Sequence, residues 1–339
     1  MDVLIVGAGL AGITAAREMV SPEFTKLQIK ILEKARGFGG RMATRWDTDH
    51  PARWDHGAQF LTIGDPRFKA ELLPFLENGS LKKWNTSGVT ILPESQSRDR
   101  YSFTEGMSGV VRSLGQKLRD EGKVHFQSRV QTISEMALGR GWKVICEDGV
   151  SYETKSLLLT APLPQSLELL LTSKIPCRDL DILSKIVYRS CLAVVAEFPG
   201  GYALPEPRYV ENPSPEIRGI FDQNFKGISA GKSVLVIHGS PTISKTLYDA
   251  PEDLVIETLL CASRPFLGLP PLPEPVKVSL HRWRYSDPET TYPQLFYSEV
   301  EREGSSPLII AGDAFGGPRV EGAFLSGLAA AEKLKSLLQ

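Results

Sequence analysis

Four apolar residues, Val3-Leu-Ile-Val6, run without a break into Gly7-Ala-Gly9-Leu-Ala-Gly12. A short strand entering Gly-x-Gly-x-x-Gly and then a helix leaves few folds open. Gly7 permits the tight turn, Gly9 lets the backbone approach a pyrophosphate, and Gly12 lets helix and sheet pack closely. Leu10 and Ala11 open the helix, where the first N–H groups lack intrahelical partners and face the phosphate charge. One such motif alone is weak evidence. Here the helix is expected to continue through ITAAREMV and stop before Pro22. A second strand, LQIKIL at 27–32, follows and is closed by Glu33, a carboxylate suited to accept from a ribose hydroxyl and ill suited to a 2′-phosphate. The alternative, an ordinary tight turn, does not explain strand, helix, second strand and acid in that order. The arrangement points to a bound dinucleotide, and to FAD.

Two further glycine-rich segments fit that cofactor. Gly39-Gly40 is followed at once by Arg41, whose guanidinium is suited to pyrophosphate oxygens. Arg36 and Arg45, close by, read first as solvated surface residues, with a phosphate contact as the alternative for either. Far downstream, PLIIAGDAFGGPRVEGAFLSG spans 307–327. Asp313, after Gly312, can accept from a sugar or ribityl hydroxyl or can simply cap a helix. Backbone N–H groups near Glu321–Ala323 are suited to negative charge on a flavin ring at N1 and O2.

Composition narrows the class. A chain of 339 residues, 42% hydrophobic and 23% charged, can bury two cores. A net charge of −1 gives no electrostatic case for nucleic acid or an anionic membrane. Cys146, Cys177, Cys191 and Cys261 are scattered, with no CxxC or Cys/His spacing, so no metal site is expected and free thiols in a reducing compartment are. No apolar stretch approaches the ~18 residues of a membrane span. Asp2 and the missing basic n-region argue against an export signal, so a cytoplasmic protein is expected.

Along the chain, residues 35–60 suit a cofactor-covering loop, and 65–100 carry short amphipathic pieces with turns near Gly79 and Pro93. Val110, Leu114 and Leu118 mark a helix from Ser108, closed by Gly122. Strands are expected at 124–130, 142–146, 157–160, 191–198, 217–221, 233–238, 276–280 and 307–311, with Asp148-Gly149 as a hairpin turn. Pro-rich connectors lie at 204–215 and 266–275, and helices at 252–262 and 322–337. The fold class expected is α/β: a discontinuous Rossmann-like FAD-binding domain over 1–62, 101–165 and 300–339, with a sheet-rich substrate domain over 63–100 and 166–299.

With VGAGLAG, GGRMATR, DHGAQFLT, IHGSP, HRWRY and GPRVEGAFLSG in view, the chain resembles the bacterial renalase-like FAD flavoproteins, within the flavin amine oxidase and glutathione-reductase-like assemblage. The resemblance covers nearly the whole chain. It implies non-covalent FAD in a para-hydroxybenzoate-hydroxylase-like, two-domain fold. It also implies oxidation of the 2- and 6-dihydro isomers of NAD(P)H to NAD(P)+, with dioxygen reoxidising the flavin to give hydrogen peroxide. Carried over by motif, Gly7, Gly9, Gly12, Glu33, Gly40 and Arg41 match the adenosine and pyrophosphate segment, with Lys34 and Met42 beside them. Val130, at the end of strand 124–130, matches a backbone contact to adenine. Asp313 and Val320–Phe324, including Glu321, Gly322 and Ala323, match the flavin-end contacts. Gln59 and Phe60 of DHGAQF, His238 of IHGSP and Trp283 of HRWRY fall at positions facing flavin or substrate. Where many bacterial relatives read an Asn-Ser-Lys-Pro-like stretch, this chain reads DQNFKG at 222–227, leaving Asn224 as the equivalent.

The residues support that chemistry in part. Hydride loss from a neutral dihydropyridine depends on stacking and orientation, which an aromatic wall at Trp283 supplies, and needs no obligatory base. Trp283 as a core residue, His238 as a satisfied structural histidine and Gln59 as a loop anchor are the alternatives. His56 and Asp55 read as local structural partners. The expected partners are a dihydronicotinamide nucleotide and O2. An amine oxidase, with Lys226 or Lys232 as candidate lysines, or another small-molecule FAD oxidoreductase is the competing enzyme, and a flavin-containing scaffold the competing non-enzyme.

Overall fold

The computed structural model describes residues 1–21, 27–84, 99–200, 202–205, 208–268, 273–299 and 305–338. The turn expected near Pro93, the stop at Pro22, the middle of connector 266–275 and the boundary at 300 lie outside these residues. The chain forms two compact units, Met1–Gly40 with Val110–Val187 and Asp287–Gln339, and Arg41–Gly109 with Tyr188–Ser286. The boundaries differ from those expected: 41–62 and 101–109 go with the second unit, and 166–187 and 287–299 with the first. Elements run through the switch points, which sequence texture does not mark. The helix Ser108–Asp120 and the strand Lys277–Pro288 each span one.

The first unit is Rossmann-like. Its six-stranded sheet runs Tyr297–Ser298, Leu308–Ile310, Ser156–Leu159, Val3–Val6, Ile29–Leu32, Val124–His125. All neighbours are parallel except the first pair, which is antiparallel. Apolar runs such as VLIV and LII suit a parallel sheet covered on both faces, and Val3–Ile5 and Leu308–Ile310 are buried. The helix Leu10–Met19 follows the first strand. The last helix, Val320–Leu338, starts two residues before the expected 322, and packs on it through Gly327, where a Cβ would stand 2.3 Å from the Ala11 carbonyl oxygen. An antiparallel sheet of Val130–Glu135, Trp142–Cys146 and Ser151–Thr154 contains the Asp148-Gly149 turn.

The strand expected at 124–130 does not exist as one element. It stops at His125, and Val130 opens the next strand rather than closing this one. Between them Gln127 takes φ +56. There the Gln127 and Ser128 N–H groups donate to the carbonyls of Ala35 and Glu33, at 3.0 and 2.9 Å. Those bonds turn the chain within a segment, VHFQSRV, whose own residues do not mark the break.

The second unit is sheet-rich. Its five-stranded sheet runs Tyr209–Glu211, Ile217–Asp222, Ser233–Gly239, Tyr188–Phe198, Lys277–Pro288. Alternation sorts its faces: Leu192, Val194, Ala196, Ile220, Leu235 and Ile237 pack with Val255 and Leu259 of the helix Glu252–Ser263. Val195, Val234 and Val236 turn the other way, onto Ala52 and Trp54. Expected strand 276–280 continues through His281-Arg-Trp-Arg-Tyr285 to Pro288, and the region after Asp65 forms a helix, Pro66–Glu77, capped by the Asp65 side chain.

Candidate cofactor and substrate site

In the first unit the glycines are where backbone crowding demands them. Gly7 has φ +114, a conformation that L side chains rarely adopt. A Cβ on Gly12 would lie 2.1 Å from the Gly7 carbonyl oxygen, whereas one on Gly9 meets nothing within 4 Å. The turn is therefore closed on its helix side and open at Gly9. Gly40, at φ +54, lies beside Gly9, 3.8 Å from a built Cβ to the Gly9 Cα. Glu33 is buried, its carboxylate accepting from the N–H groups of Ala8 at 2.8 Å and Ala35 at 2.7 Å. Those bonds hold the acid at the glycine turn with lone pairs left to accept a hydroxyl. The first turn, Leu10, Ala11, Glu33 and Gly40 are thus brought together.

Lys34 instead directs its ammonium to Gln165 Oε1 at 2.9 Å. Val130 pairs with Cys146. At the far end of the sheet, Gly312 has φ +144, and its N–H donates to Ser326 Oγ at 2.8 Å. Asp313 is buried at the start of the short helix Asp313–Gly316. Val320, Glu321, Gly322 and Ala323 form the first turn of the last helix. A Cβ on Gly322 would meet the Gly317 oxygen at 2.3 Å, so this turn too requires glycine.

In the second unit, Arg41 has its guanidinium within 3.5 Å of the Ser286 carbonyl and 5.7 Å from the Tyr188 ring centre. Met42, next to it, is buried. Trp283 lies 5.3 Å from His56 in a stacked pair and 4.4 Å from His281 edge-on, and its Nε1 donates to the His56 carbonyl at 2.9 Å. Burial pushes His56 down to about 3, helped by the nearby charges of His281, Arg45 and His238. Burial, with Arg45, likewise holds His281 at about 4. Both imidazoles are neutral at neutral pH. His238 lies 5.3 Å from the Phe221 ring, and Phe60 lies under the Arg100 guanidinium at 4.5 Å.

Gln59 is buried and its amide is occupied internally. Nε2 donates to the carbonyls of Asp55 and Gly57, and Oε1 accepts from Gln223 Nε2 at 3.1 Å. Asn224 is on an exposed turn, while its neighbours Gln223 and Lys226 turn inward and are buried. Motif reading gave the turn's role to Asn224 and treated Lys226 as one lysine among others. A polar run between two apolar strands looks like surface, and no local signal marks which of its side chains is buried. Lys232, the other candidate lysine, is bound to Asp47 at 2.8 Å and Glu197 at 3.2 Å.

A largely parallel sheet opening into a glycine turn with a buried carboxylate after its second strand, in a chain that also has a sheet-rich unit, is the pattern of a dinucleotide-binding protein. The open backbone at Gly9 and the carboxylate at Glu33 fit FAD. A family model of flavin containing amine oxidoreductases matches residues 79–335, and one of NAD(P)-binding Rossmann-like domains matches residues 5–72. The chain belongs to the flavin containing amine oxidoreductase family; it is an FAD-dependent oxidoreductase. Renalase of Mus musculus is 26% identical over 354 residues, covering 98% of each chain. Among solved structures, a candidate protoporphyrinogen oxidase from Exiguobacterium sp. 255-15 shares the fold with a TM-score of 0.74 at 16% identity, covering 99% of both chains. Putrescine oxidase bound to putrescine does so with a TM-score of 0.68 at 15% identity, again over 99% of both. Among the described residues no helix is long and apolar enough to cross a membrane.

Proposed function

We propose that the chain, with a para-hydroxybenzoate-hydroxylase-like fold, oxidises dihydropyridine isomers of NAD(P)H, the 2- and 6-dihydro forms. The observation that carries this reading is the cluster of Trp283, His56 and His281, aromatic and neutral at neutral pH. As a wall of the substrate site, such a cluster suits a flat, uncharged ring and leaves no positive charge in it to oppose the pyridinium forming. Similarity to renalase along the whole chain supports the same substrate class. Non-covalent FAD, when bound, would supply a hydride acceptor that dioxygen reoxidises, the overall change being dihydropyridine, O2 and one proton to pyridinium and hydrogen peroxide.

In this reading Gly7, Gly9, Gly12 and Glu33 hold the adenosine and pyrophosphate, and Gly40 keeps the adjoining backbone out of the way. Arg41 offers its guanidinium to a pyrophosphate oxygen, and Asp313 with the Val320–Ala323 turn meets the flavin end. Trp283 orients the nicotinamide ring, and His238 meets its carboxamide. Gln59 acts through the loop it braces, since its own amide is occupied. The four cysteines are free thiols, which a reducing cytoplasm maintains, and we place the protein there.

The test is anaerobic stopped-flow mixing of the holoenzyme with 2-, 6- and 4-dihydroNAD(P) and with an amine panel. Fast bleaching of the flavin band by the 2- or 6-isomer, with colour and peroxide returning on admission of oxygen, is expected. Reduction by an amine with none by the isomers would overturn the reading in favour of an amine oxidase.

A further inference from the structure

The turn after Ile217–Asp222 carries a buried charge that the chemistry above does not use. The Lys226 and Asp55 side chains are both 0% exposed, with Nζ 2.6 Å from Asp55 Oδ2. The same ammonium donates to the Gln59 carbonyl at 2.8 Å and approaches Gln59 Oε1 at 3.4 Å. The second carboxylate oxygen of Asp55 accepts from Thr44 Oγ1 at 2.5 Å and from the Met107 N–H at 2.8 Å. Gln223 completes the network, accepting from the Asp55 N–H at 3.0 Å and donating to Gln59. Burial presses the lysine's pKa below its ordinary value and the Asp55 charge opposes that, so the pair depends on its partners staying in place.

What the network grips is the segment Asp55–Gln59, and that segment grips two residues with assigned roles. The Ala58 N–H donates to the Arg41 carbonyl at 2.9 Å. Gly57 lies so close that a Cβ there would stand 2.1 Å from the Arg41 oxygen and 3.2 Å from Trp283 Cζ2. The His56 carbonyl accepts from Trp283 Nε1 at 2.9 Å. We propose that Lys226 and Asp55 are a positioning pair, which through segment 55–59 sets the places of Arg41 and Trp283. The proposal rests on the reading of Arg41 as a pyrophosphate contact and Trp283 as the ring wall. Neither member of the pair touches reacting atoms.

The test uses the holoenzyme, following FAD release by the fluorescence of freed flavin, with urea stability measured on the same samples. Lys226→Met or Asp55→Asn alone strands a buried charge and is expected to destabilise the fold, so the informative chain carries both substitutions. A neutral pair of similar bulk commonly recovers stability. Positioning predicts that the double variant recovers stability yet holds FAD on the order of tenfold more weakly, with the KM for the dihydropyridine raised further. Stability and FAD affinity both at the wild-type level would overturn the proposal. If the double variant does not fold, Gln223→Met removes two network hydrogen bonds without stranding a charge. It is expected to weaken FAD binding severalfold, and an unchanged affinity would overturn the proposal equally. Arg41→Met separates the two layers. Undiminished affinity there overturns the Arg41 reading and the proposal with it. Loss there, beside wild-type affinity in the double variant, overturns positioning alone.

Discussion

At Gly12 the available space is set by the Gly7 oxygen, 2.1 Å from any Cβ, and by Thr160 Oγ1 at 2.8 Å. Gly12→Ala must move backbone, so it should cost about 1–3 kcal/mol of stability and empty the cofactor turn. Urea unfolding and the flavin-to-protein absorbance ratio of the purified chain check both. Glu33→Gln keeps the bulk but weakens an acceptor held by two N–H groups and asks one of them to face an amide NH2. The expected loss in FAD affinity is about 1–3 kcal/mol, read by the same flavin-release assay, and unchanged binding would remove Glu33 from the site. The crowding at Gly12 and the placing of Glu33 at the glycine turn were legible because strand, turn, helix, strand and acid follow one another in the chain. Gln59 and Asn224 were not. Whether an amide faces a ligand or its own loop depends on what folds over it.

Helix positions carry a second kind of constraint. The last helix, Val320–Leu338, lies against Leu10–Met19 with only hydrogen at Gly327, whose built Cβ falls 2.3 Å from the Ala11 oxygen. Gly327→Ala should force the helices apart and cost about 1–3 kcal/mol, despite Ala being the better helix former. A denaturation midpoint unchanged or raised would show that the close approach is not needed. Elements with strong periodicity, such as Val3–Val6, Trp142–Cys146 and Glu252–Ser263, appear where the pattern puts them. The exceptions have a common origin. Expected strand 124–130 is broken by carbonyls from the Glu33–Ala35 turn, and strand 276–280 is extended to Pro288 by sheet pairing. In each case a partner distant in sequence overrides local preference.

For the molecule as a whole, the two low-pKa histidines make stability depend on pH. His56 and His281 titrate at about 3 and about 4 in the fold against 6.5 when unfolded. Below 6.5 the unfolded chain therefore binds more protons than the native one, and stability is lost as pH falls toward 4. Urea midpoints between pH 7 and pH 5 should fall accordingly, and His281→Phe should remove about one proton from that dependence. A pH dependence identical in the variant would deny the burial of His281. What the sequence determined by itself was local: the order of strand, glycine turn, helix and acid, hence a dinucleotide fold, because positive φ, chain crowding and periodicity are properties of neighbouring residues. What the tertiary structure decided was the company each polar group keeps. Asp55 and Lys226 stand 171 residues apart, and only sheet register and the burial of one turn bring their charges together. Coulomb attraction and desolvation depend on distance in space, which no spacing along the chain reports.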